Sequence, residues 1–280
     1  MMARTTSEAD PAMVARCVAA LRAAPAGLIT DIDGTISPIA PTPAAAVVAD
    51  DARAALAPLA ARLAVVAVVS GRAADACVAM VGLPDLLYVG NHGMERSQAG
   101  ETTAHPGAAA AERAVAAALA EIAAALAGTS LAATTLIENK RLTGTIHYRL
   151  AADPAATRAA LTPLVAAAAA RHGLVMTEGR AILELRPDIV VNKGTAIVDL
   201  VRERGLRGAV FLGDDLTDVD GFRALRALRE RGALAAFCVG VVGPETAAAV
   251  REAVDGVVDG VDGCAALLTA VADRLDEPEP

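Results

Sequence analysis

Two aspartates stand two residues apart at the end of an apolar stretch, in LITDIDGTISP at residues 28–38. If the extended backbone continues, Asp31 and Asp33 point to the same side of a strand. Two carboxylates held that close repel each other, so a positive group or a shared proton must compensate them. The same residues also fit an acidic turn in which Gly34 takes a positive φ.

Three further polar groups stand at the ends or starts of predicted elements. SGR at 70–72 follows an apolar run, GDD at 213–215 with Asp218 follows another, and Lys193 opens a predicted helix. Ligands of an open parallel sheet bind beyond the carboxyl ends of its strands, so we expect these groups to converge with residues 31–33 in one crevice. Taken singly, Ser-Gly is a common loop opening, a lone lysine usually lies on a solvated surface, and GDDLTD also fits an acidic helix N-terminus.

So many carboxylates in one crevice need a cation, and Mg²⁺ suits a site with few protein oxygens and several waters. Such an ion recruits phosphate oxygens, and Lys193 and the Ser70 hydroxyl can hold the others. Asp31 can then attack phosphorus and form an aspartyl-phosphate. Asp33 can protonate the leaving alcohol and afterwards activate water. The sequence therefore predicts phosphoryl transfer with Asp31, Asp33, Ser70 and Lys193 as catalytic residues and Mg²⁺ as cofactor.

These groups need a scaffold that brings strand ends together. Continuous apolar runs such as LAVVAVV at 63–69 fit strands buried on both faces of a parallel sheet, and helices alternate with them. Between about residues 107 and 186 the predicted order changes to α-β-β-α-β-β. We therefore predict an α/β fold with a Rossmann-like parallel sheet formed by residues 1–106 and 187–280, and an inserted α+β domain at 107–186.

The composition excludes several partners. Asp and Glu number 33 against 25 Lys and Arg, which disfavours a nucleic-acid partner. No apolar run reaches membrane-spanning length and the first residues lack the apolar region of a signal peptide, so we expect a cytoplasmic protein without membrane contact. The four scattered cysteines are predicted to be buried reduced thiols. The sequence predicts no oligomeric state.

Together these motifs resemble those of the haloacid dehalogenase superfamily of phosphotransferases, with DIDGT at 31–35 as the first, Ser70 as the second, Lys193 as the third and GDDLTD at 213–218 as the fourth. Further matches resemble the trehalose-6-phosphate phosphatases within it. These are NHGME at 91–95, ENK at 138–140, HYR at 147–149, EGR at 178–180, ELRP at 184–187 and NKG at 192–194. Gly221 and Arg180 depart from the alanine and lysine more common there, and a guanidinium fork is not a point charge.

The resemblance implies a phosphoric monoester hydrolase of trehalose biosynthesis, which uses Mg²⁺ and an aspartyl-phosphate to convert trehalose 6-phosphate to trehalose and phosphate. It implies a haloacid dehalogenase core with the insert as a cap, and a small-molecule sugar phosphate as partner. The implied metal ligands are Asp31, the Asp33 carbonyl and Asp214, with Asp218 as an additional ligand. The candidate substrate-binding residues are Arg72, His92, Glu138, Lys140, Arg180 and Glu184.

Other functions stay open at this point. Another sugar-phosphate phosphatase of the superfamily, acting on a sucrose phosphate, a mannosyl phosphate or a hexose phosphate, differs mainly in the pocket residues of its cap. A non-catalytic sugar-phosphate-binding module would have lost a motif, whereas all four are intact, and a phosphomutase is not excluded. From the residues alone, Glu138 and Lys140 also fit ordinary surface ion pairs, and His147 fits a satisfied polar residue on a strand.

Overall fold

The computed structural model describes residues 9–244 and 246–277, so the first eight residues, in which no signal peptide is expected, lie outside it. The chain divides into two compact units. The large unit comprises the described residues up to Thr102 and from Val191 onward, and the small unit is Thr103–Val190. The predicted insert at 107–186 lies within the small unit.

Strands and helices alternate along most of the chain. The strands are β1 (Ala26–Thr30), β2 (Val65–Val69), β3 (Leu87–Gly90), β4 (Glu95–Gln98), β5 (Glu101–Ala104), β6 (Leu136–Asn139), β7 (Gly144–His147), β8 (Leu174–Gly179), β9 (Ile182–Pro187), β10 (Gly208–Gly213), β11 (Ala235–Val242) and β12 (Gly256–Asp259). The α-helices are α1 (Pro11–Arg22), α2 (Asp50–Arg62), α3 (Ala74–Val81), α4 (Pro106–Leu126), α5 (Pro154–Arg171), α6 (Lys193–Glu203), α7 (Leu216–Glu230), α8 (Ala248–Ala253) and α9 (Gly260–Asp276).

The main sheet has eight strands in the order β12-β11-β10-β1-β2-β3-β4-β5. The pairs from β12 through β3 are parallel, and β4 runs antiparallel to β3. The predicted α/β fold class is therefore confirmed. The chain first builds outward from β1 on one side and later from β10 on the other, so the strand order reverses between these two strands. In such sheets the ligand crevice lies at this switch point, beyond the carboxyl ends.

Both faces of the main sheet are buried, as the continuous apolar runs predict. Leu28 of β1 packs into a core cluster with residues of α1, α2 and α9, and its neighbour Ile29 packs into a second cluster with residues of α6 and α7. Successive side chains of a strand point to opposite faces, so a strand covered on both sides must be apolar throughout. The two cores leave the strand ends as the place for polar side chains.

The small unit has its own antiparallel sheet in the order β6-β7-β9-β8. Ile146, Leu183 and Leu185 form one core cluster with apolar residues of α4 and α5. Because both helices join this cluster, the alternate side chains of the same strands are left for the opposite face of the sheet.

Several elements differ from the sequence predictions. The sequence predicts a helix over 244–254, of which residue 245 lies outside the described residues. The helix α8 begins at Ala248, and before it Gly243 N–H donates to Thr246 Oγ1 at 2.9 Å. A strand predicted from residue 132 begins at Leu136, since 130–133 form a 3₁₀ turn. The helix α1 and the short strands β4, β5 and β12 were not predicted.

Two further predictions can be compared with the described residues. None of the helices in 9–244 and 246–277 combines the length and the apolar character needed to cross a bilayer. All four cysteines are free and buried, as predicted, and burial raises the pKa of each thiol to about 12. The thiols are therefore protonated core residues. They are Cys17, Cys77, Cys238 and Cys264.

Candidate active site

Three carboxylates meet at the switch point of the main sheet. Asp31 follows β1 and Asp214 follows β10, and these neighbouring parallel strands keep their register to the end, since Asp31 N–H donates to Leu212 O at 2.9 Å. Asp218 lies in the first turn of α7. Asp31, Asp214 and Asp218 are all buried, and each offers an oxygen within 4.8 Å of the others. The expected convergence of residues 31 and 213–218 is thus present.

A tight turn after β1 presses the chain against Asp214. Gly34 has φ +90°, and a Cβ at this position would lie 2.1 Å from Asp214 Oδ2. Its N–H donates to Ser37 O at 2.7 Å, which closes the turn. Only glycine fits both the positive φ and the close approach. The acidic-turn interpretation of DIDGT and the site interpretation are therefore compatible, because the turn is what packs the loop against Asp214.

Lys193 enters the cluster from the start of α6. Asn192 and Thr195 form a capping box at this helix start, with Thr195 N–H donating to Asn192 Oδ1 at 2.9 Å, and this fixes the backbone of Lys193. The ammonium lies 2.9 Å from Asp31 Oδ1 and 2.7 Å from Asp218 Oδ1. The side chain is 2% exposed, so the alternative of a solvated surface lysine is wrong.

Asp218 ties the start of α7 into the cluster. Its Oδ2 accepts hydrogen bonds from the backbone N–H groups of Asp214 and Asp215, both at 3.1 Å, while its Oδ1 accepts from Lys193. A Cβ at Gly213 would lie 2.5 Å from Asp218 Cγ, so the end of β10 can approach this carboxylate only as glycine. The acidic start of α7 is therefore part of the cluster, and Asp218 orients Asp214 and Lys193.

The charges of the cluster are not balanced. Burial raises the pKa of Asp31 well above its ordinary value, Lys193 lowers it, and the carboxylates of Asp218, Asp214 and Asp33 add to the rise. Burial lowers the pKa of Lys193, but Asp218 and Asp31 outweigh this and hold it above its ordinary value. Lys193 is therefore charged, and its single positive charge faces several carboxylates.

The donor set fits a divalent cation. The oxygens of Asp31, Asp214 and Asp218 are hard ligands at mutual distances suited to one ion, and their buried negative charge exceeds that of the contacting ammonium. An added cation would favour the ionised form of Asp31, which burial disfavours. The residues present thus match the chemistry of a hard-metal site.

Asp33 lies beside this cluster and is held by Arg72. The guanidinium donates from Nε to Asp33 Oδ2 at 2.6 Å and from Nη2 to Asp33 Oδ1 at 2.8 Å, and from Nη1 to Pro43 O at 3.1 Å. The two side chains are 15% and 33% exposed. The sequence placed Arg72 on the substrate, whereas here its guanidinium lies on the carboxylate predicted to move protons.

Ser70 and His92 stand together at the ends of β2 and β3. His92 N–H donates to Ser70 O at 2.9 Å, and Arg72 N–H donates to Ser70 Oγ at 3.3 Å. Asn91 and His92 have positive φ values of 48° and 60°. A Cβ at Gly71 would lie 2.6 Å from His92 Cε1, so the imidazole packs directly on the SGR loop. These two predicted site residues therefore lie at the same edge of the sheet as Asp31.

One buried acid in this region was not predicted. Glu95 Oε1 accepts from Ala74 N–H at 2.7 Å and from Asn91 Nδ2 at 2.8 Å. It thereby connects the start of α3 with the loop after β3. Glu95 lies in the NHGME segment, but neither spacing nor charge in the sequence indicates that it is buried.

In the small unit, polar residues line the face of the sheet opposite the helices. The registers place Glu138, Thr145, Glu184 and Thr177 in one row across the four strands. Glu184 Oε1 accepts from Lys140 Nζ at 3.2 Å and from Thr145 Oγ1 at 3.4 Å. The Lys140 and Glu184 side chains are 9% and 5% exposed, so the alternative of an ordinary exposed ion pair is wrong for them.

Two other residues belong to this part of the unit. His147 Nε2 lies 2.8 Å from Glu138 Oε2, so His147 contacts the row from the same face of the sheet. From the sequence, His147 also fitted an ordinary polar strand residue. The hairpin register carries the signal, because Glu138 pairs with Thr145 and His147 is two residues further along the same face. The predicted Arg180 lies in the turn between β8 and β9, where its carbonyl accepts from Arg149 Nη2 at 3.0 Å.

The family model and the curated relatives that match this chain point to the same family. The family model described as trehalose-phosphatase matches residues 29–254. A probable trehalose-phosphate phosphatase 9 from Oryza sativa subsp. japonica is 32% identical over 221 residues, which cover 70% of this chain and 59% of that protein. A trehalose-phosphate phosphatase from Mycobacterium tuberculosis is 36% identical over 197 residues, covering 69% and 49%. The chain thus spans about half the length of these relatives.

A solved structure supports the fold. The C-terminal domain of trehalose-6-phosphate phosphatase from C. albicans superposes with a TM-score of 0.76 and 21% identity, covering 97% of this chain and 99% of that one. At this identity the likeness concerns the architecture.

Proposed function

The chain belongs to the trehalose-phosphatase family, and from this premise we propose that it hydrolyses trehalose 6-phosphate to trehalose and inorganic phosphate. The observation that carries the proposal is the buried cluster of Asp31, Asp214, Asp218 and Lys193 at the switch point of the main sheet. A buried set of oxygen ligands beside an ammonium suits a phosphoryl group and a divalent cation. An intact cluster also argues against a non-catalytic binding module.

The metal in this proposal is Mg²⁺. Asp31, the Asp33 backbone carbonyl and Asp214 would hold it, with Asp218 as the additional ligand that also orients Lys193. When bound, the ion supplies positive charge that offsets the carboxylates and the transferring phosphoryl group.

Asp31 and Asp33 divide the chemistry between them. An Oδ of Asp31 attacks phosphorus, the bond from phosphorus to the sugar oxygen breaks, and Asp33 gives its proton to that oxygen. Water then attacks phosphorus and gives a proton to Asp33, while the bond between phosphorus and Asp31 breaks. Both carboxyl groups return to their starting state. Lys193 orients Asp31 and holds a phosphoryl oxygen, and the Ser70 hydroxyl holds another.

We further propose that the polar face of the small unit binds the sugar. A disaccharide offers many hydroxyls and little apolar surface, so its partners must be charged or polar groups held in place. Glu138, Lys140 and Glu184 meet this need, because their mutual contacts fix their positions. Arg180 and His92 remain further candidates for substrate contact.

A panel of phosphorylated sugars tests the proposal. Phosphate release with Mg²⁺ is measured for trehalose 6-phosphate, sucrose 6-phosphate, glucose 6-phosphate and mannosyl phosphates at equal concentration. The proposal predicts the highest kcat/KM for trehalose 6-phosphate. Equal turnover of the hexose phosphates would replace it with a broader sugar-phosphate phosphatase, and no phosphate release from any of them would overturn it.

A further inference from the structure

The contact between Arg72 and Asp33 assigns a role to the arginine of the SGR segment. We propose that Arg72 is a positioning residue for Asp33 in leaving-group protonation, and not a ligand of the phosphoryl group. This inference deepens the proposed function and rests on it. It concerns residues of the large unit alone.

The geometry of the pair is specific. Two N–H groups of one guanidinium meet the two oxygens of one carboxylate, at 2.6 and 2.8 Å. Such a fork fixes the orientation of the carboxylate plane as well as its position, which a single contact does not do. The third nitrogen, Nη1, is anchored on Pro43 O at 3.1 Å, so the guanidinium itself cannot swing freely.

The backbone at Arg72 is also held from both sides. Its N–H donates to Ser70 Oγ at 3.3 Å, and its carbonyl accepts from Asn91 N–H at 2.7 Å. Asn91 is held in turn by the buried Glu95. Arg72 thus connects the loops after β2 and β3 to Asp33, which lies in the loop after β1.

Asp33 needs this support more than Asp31 does. The Asp31 carboxylate is buried and contacts Lys193, whereas the Asp33 side chain is one-third exposed and forms its ion pair with Arg72. An exposed aspartate samples several rotamers, and each one that points elsewhere takes the proton away from the leaving oxygen.

A positioning role for Arg72 predicts a result that direct phosphate binding by Arg72 would not give. Asp33 matters most when the leaving group is an alkoxide, which must be protonated as it departs. In the step that phosphorylates Asp31, which kcat/KM reports, it matters little for p-nitrophenolate, because this group leaves as a stable anion. The later attack of water is common to both substrates and does not enter kcat/KM. A residue that binds the phosphoryl group touches a part common to both substrates, so its loss would affect both equally.

The test compares Arg72→Gln with the unaltered chain on trehalose 6-phosphate and on p-nitrophenyl phosphate. We expect kcat/KM for the sugar phosphate to fall on the order of 100-fold, with a much smaller loss for the aryl phosphate and an unchanged inhibition constant for inorganic phosphate. Arg72→Lys should recover little, since a point charge cannot form the fork. In the Asp33→Asn background, Arg72→Gln should add almost no further loss.

The matched control is Arg229→Gln. Arg229 forms the same kind of fork with Asp255, at 2.8 and 2.9 Å, and also donates to Ala236 O near the start of β11. It should lower stability and leave the ratio of the two kcat/KM values unchanged. That ratio does not depend on the fraction of folded protein, so it also reports on a variant that folds poorly.

Equal losses for both substrates, or a raised inhibition constant for phosphate, would overturn the inference and favour direct phosphate binding. Full additivity with Asp33→Asn would overturn it as well. The two proposals fail separately. If the unaltered chain cleaves p-nitrophenyl phosphate and another alkyl phosphate such as glycerol phosphate, but not trehalose 6-phosphate, the proposed substrate is wrong and the leaving-group test proceeds with glycerol phosphate.

Discussion

The two units place charged side chains in opposite ways. At the switch point of the large unit, Lys193 contacts Asp31 and Asp218, with Asp214 beside them, so buried negative charge exceeds the positive charge that touches it. On the polar face of the small unit, Lys140 contacts Glu184 and His147 contacts Glu138. The first arrangement suits an added cation, whereas each of these two acids already contacts a basic side chain.

The lysines of the chain lie in these two regions. The chain has two lysines among 25 Lys and Arg residues, and both of them, Lys140 and Lys193, lie in these clusters. At Lys193 a compact ammonium fits between the carboxylates of Asp31 and Asp218, where a planar guanidinium would need more room.

The largest expected effect is that of Asp31→Asn. This change removes the proposed nucleophile, so we expect phosphate release to fall by about 10⁴-fold or more while the fold is kept. Steady-state assays with trehalose 6-phosphate and circular dichroism measure the two properties. Asp50→Asn is the control, because Asp50 is an exposed acid whose salt-bridge partner is Arg53. Turnover of the Asp31 variant near that of the control would contradict the covalent mechanism.

The second prediction concerns charge balance and the metal. Lys193→Met leaves two buried carboxylates without their ammonium and should cost about 3–5 kcal/mol of stability. Millimolar Mg²⁺ should restore part of this loss by binding the folded state. Lys140→Met should cost less, because Thr145 still contacts Glu184, and Mg²⁺ should not restore it. Thermal unfolding with and without Mg²⁺ measures both, and equal rescue of the two variants would erase the distinction between the clusters.

The third prediction concerns the polar face of the small unit. Glu184→Gln removes a proposed charged partner for sugar hydroxyls and should raise KM for trehalose 6-phosphate by about 10- to 100-fold, with a small change in kcat. Arg141→Gln, in the adjacent hairpin turn and half exposed, is the control. A fall in kcat at constant KM would place Glu184 in the chemical step instead.

The smallest effect is expected for His147→Gln. Loss of the contact with Glu138 should raise KM by about 2- to 10-fold, the value of one hydrogen bond, and leave kcat unchanged. His172→Gln is a matched control. His172, at the end of α5, has its Nε2 3.0 Å from Oε2 of Glu121 in α4, so it makes the same kind of contact between helices of the same unit. Identical KM values for both variants would remove His147 from the substrate face.

The sequence predicts the parts of the fold that depend on one strong local signal. Apolar runs such as 63–69 identify strands buried on both faces, and these form the parallel pairs around β1. The polar strands β4 and β5 lack that signal, because they lie toward one edge of the sheet, and β5 is largely exposed. Before α8, Gly243 N–H donates to Thr246 Oγ1, a side-chain hydrogen bond that helix propensity does not report.

Some contacts of the candidate site could be predicted from the sequence and others could not. Residues at the carboxyl ends of neighbouring parallel strands must meet, so the proximity of Asp31 and Asp214 follows from topology alone. The fork between Arg72 and Asp33 joins residues 39 apart through side-chain rotamers, and the burial of Glu95 depends on a loop conformation. Such contacts are set by packing that no spacing rule encodes.

The most direct test of the account is to trap the covalent intermediate. The enzyme is mixed with trehalose 6-phosphate and Mg²⁺, quenched in acid during turnover, and reduced with borohydride, which converts an aspartyl-phosphate to homoserine. Peptide mass spectrometry should then find homoserine at residue 31 and at no other aspartate. Homoserine at Asp33 or Asp214, or none at any aspartate during active turnover, would contradict the assignment of Asp31 as the nucleophile.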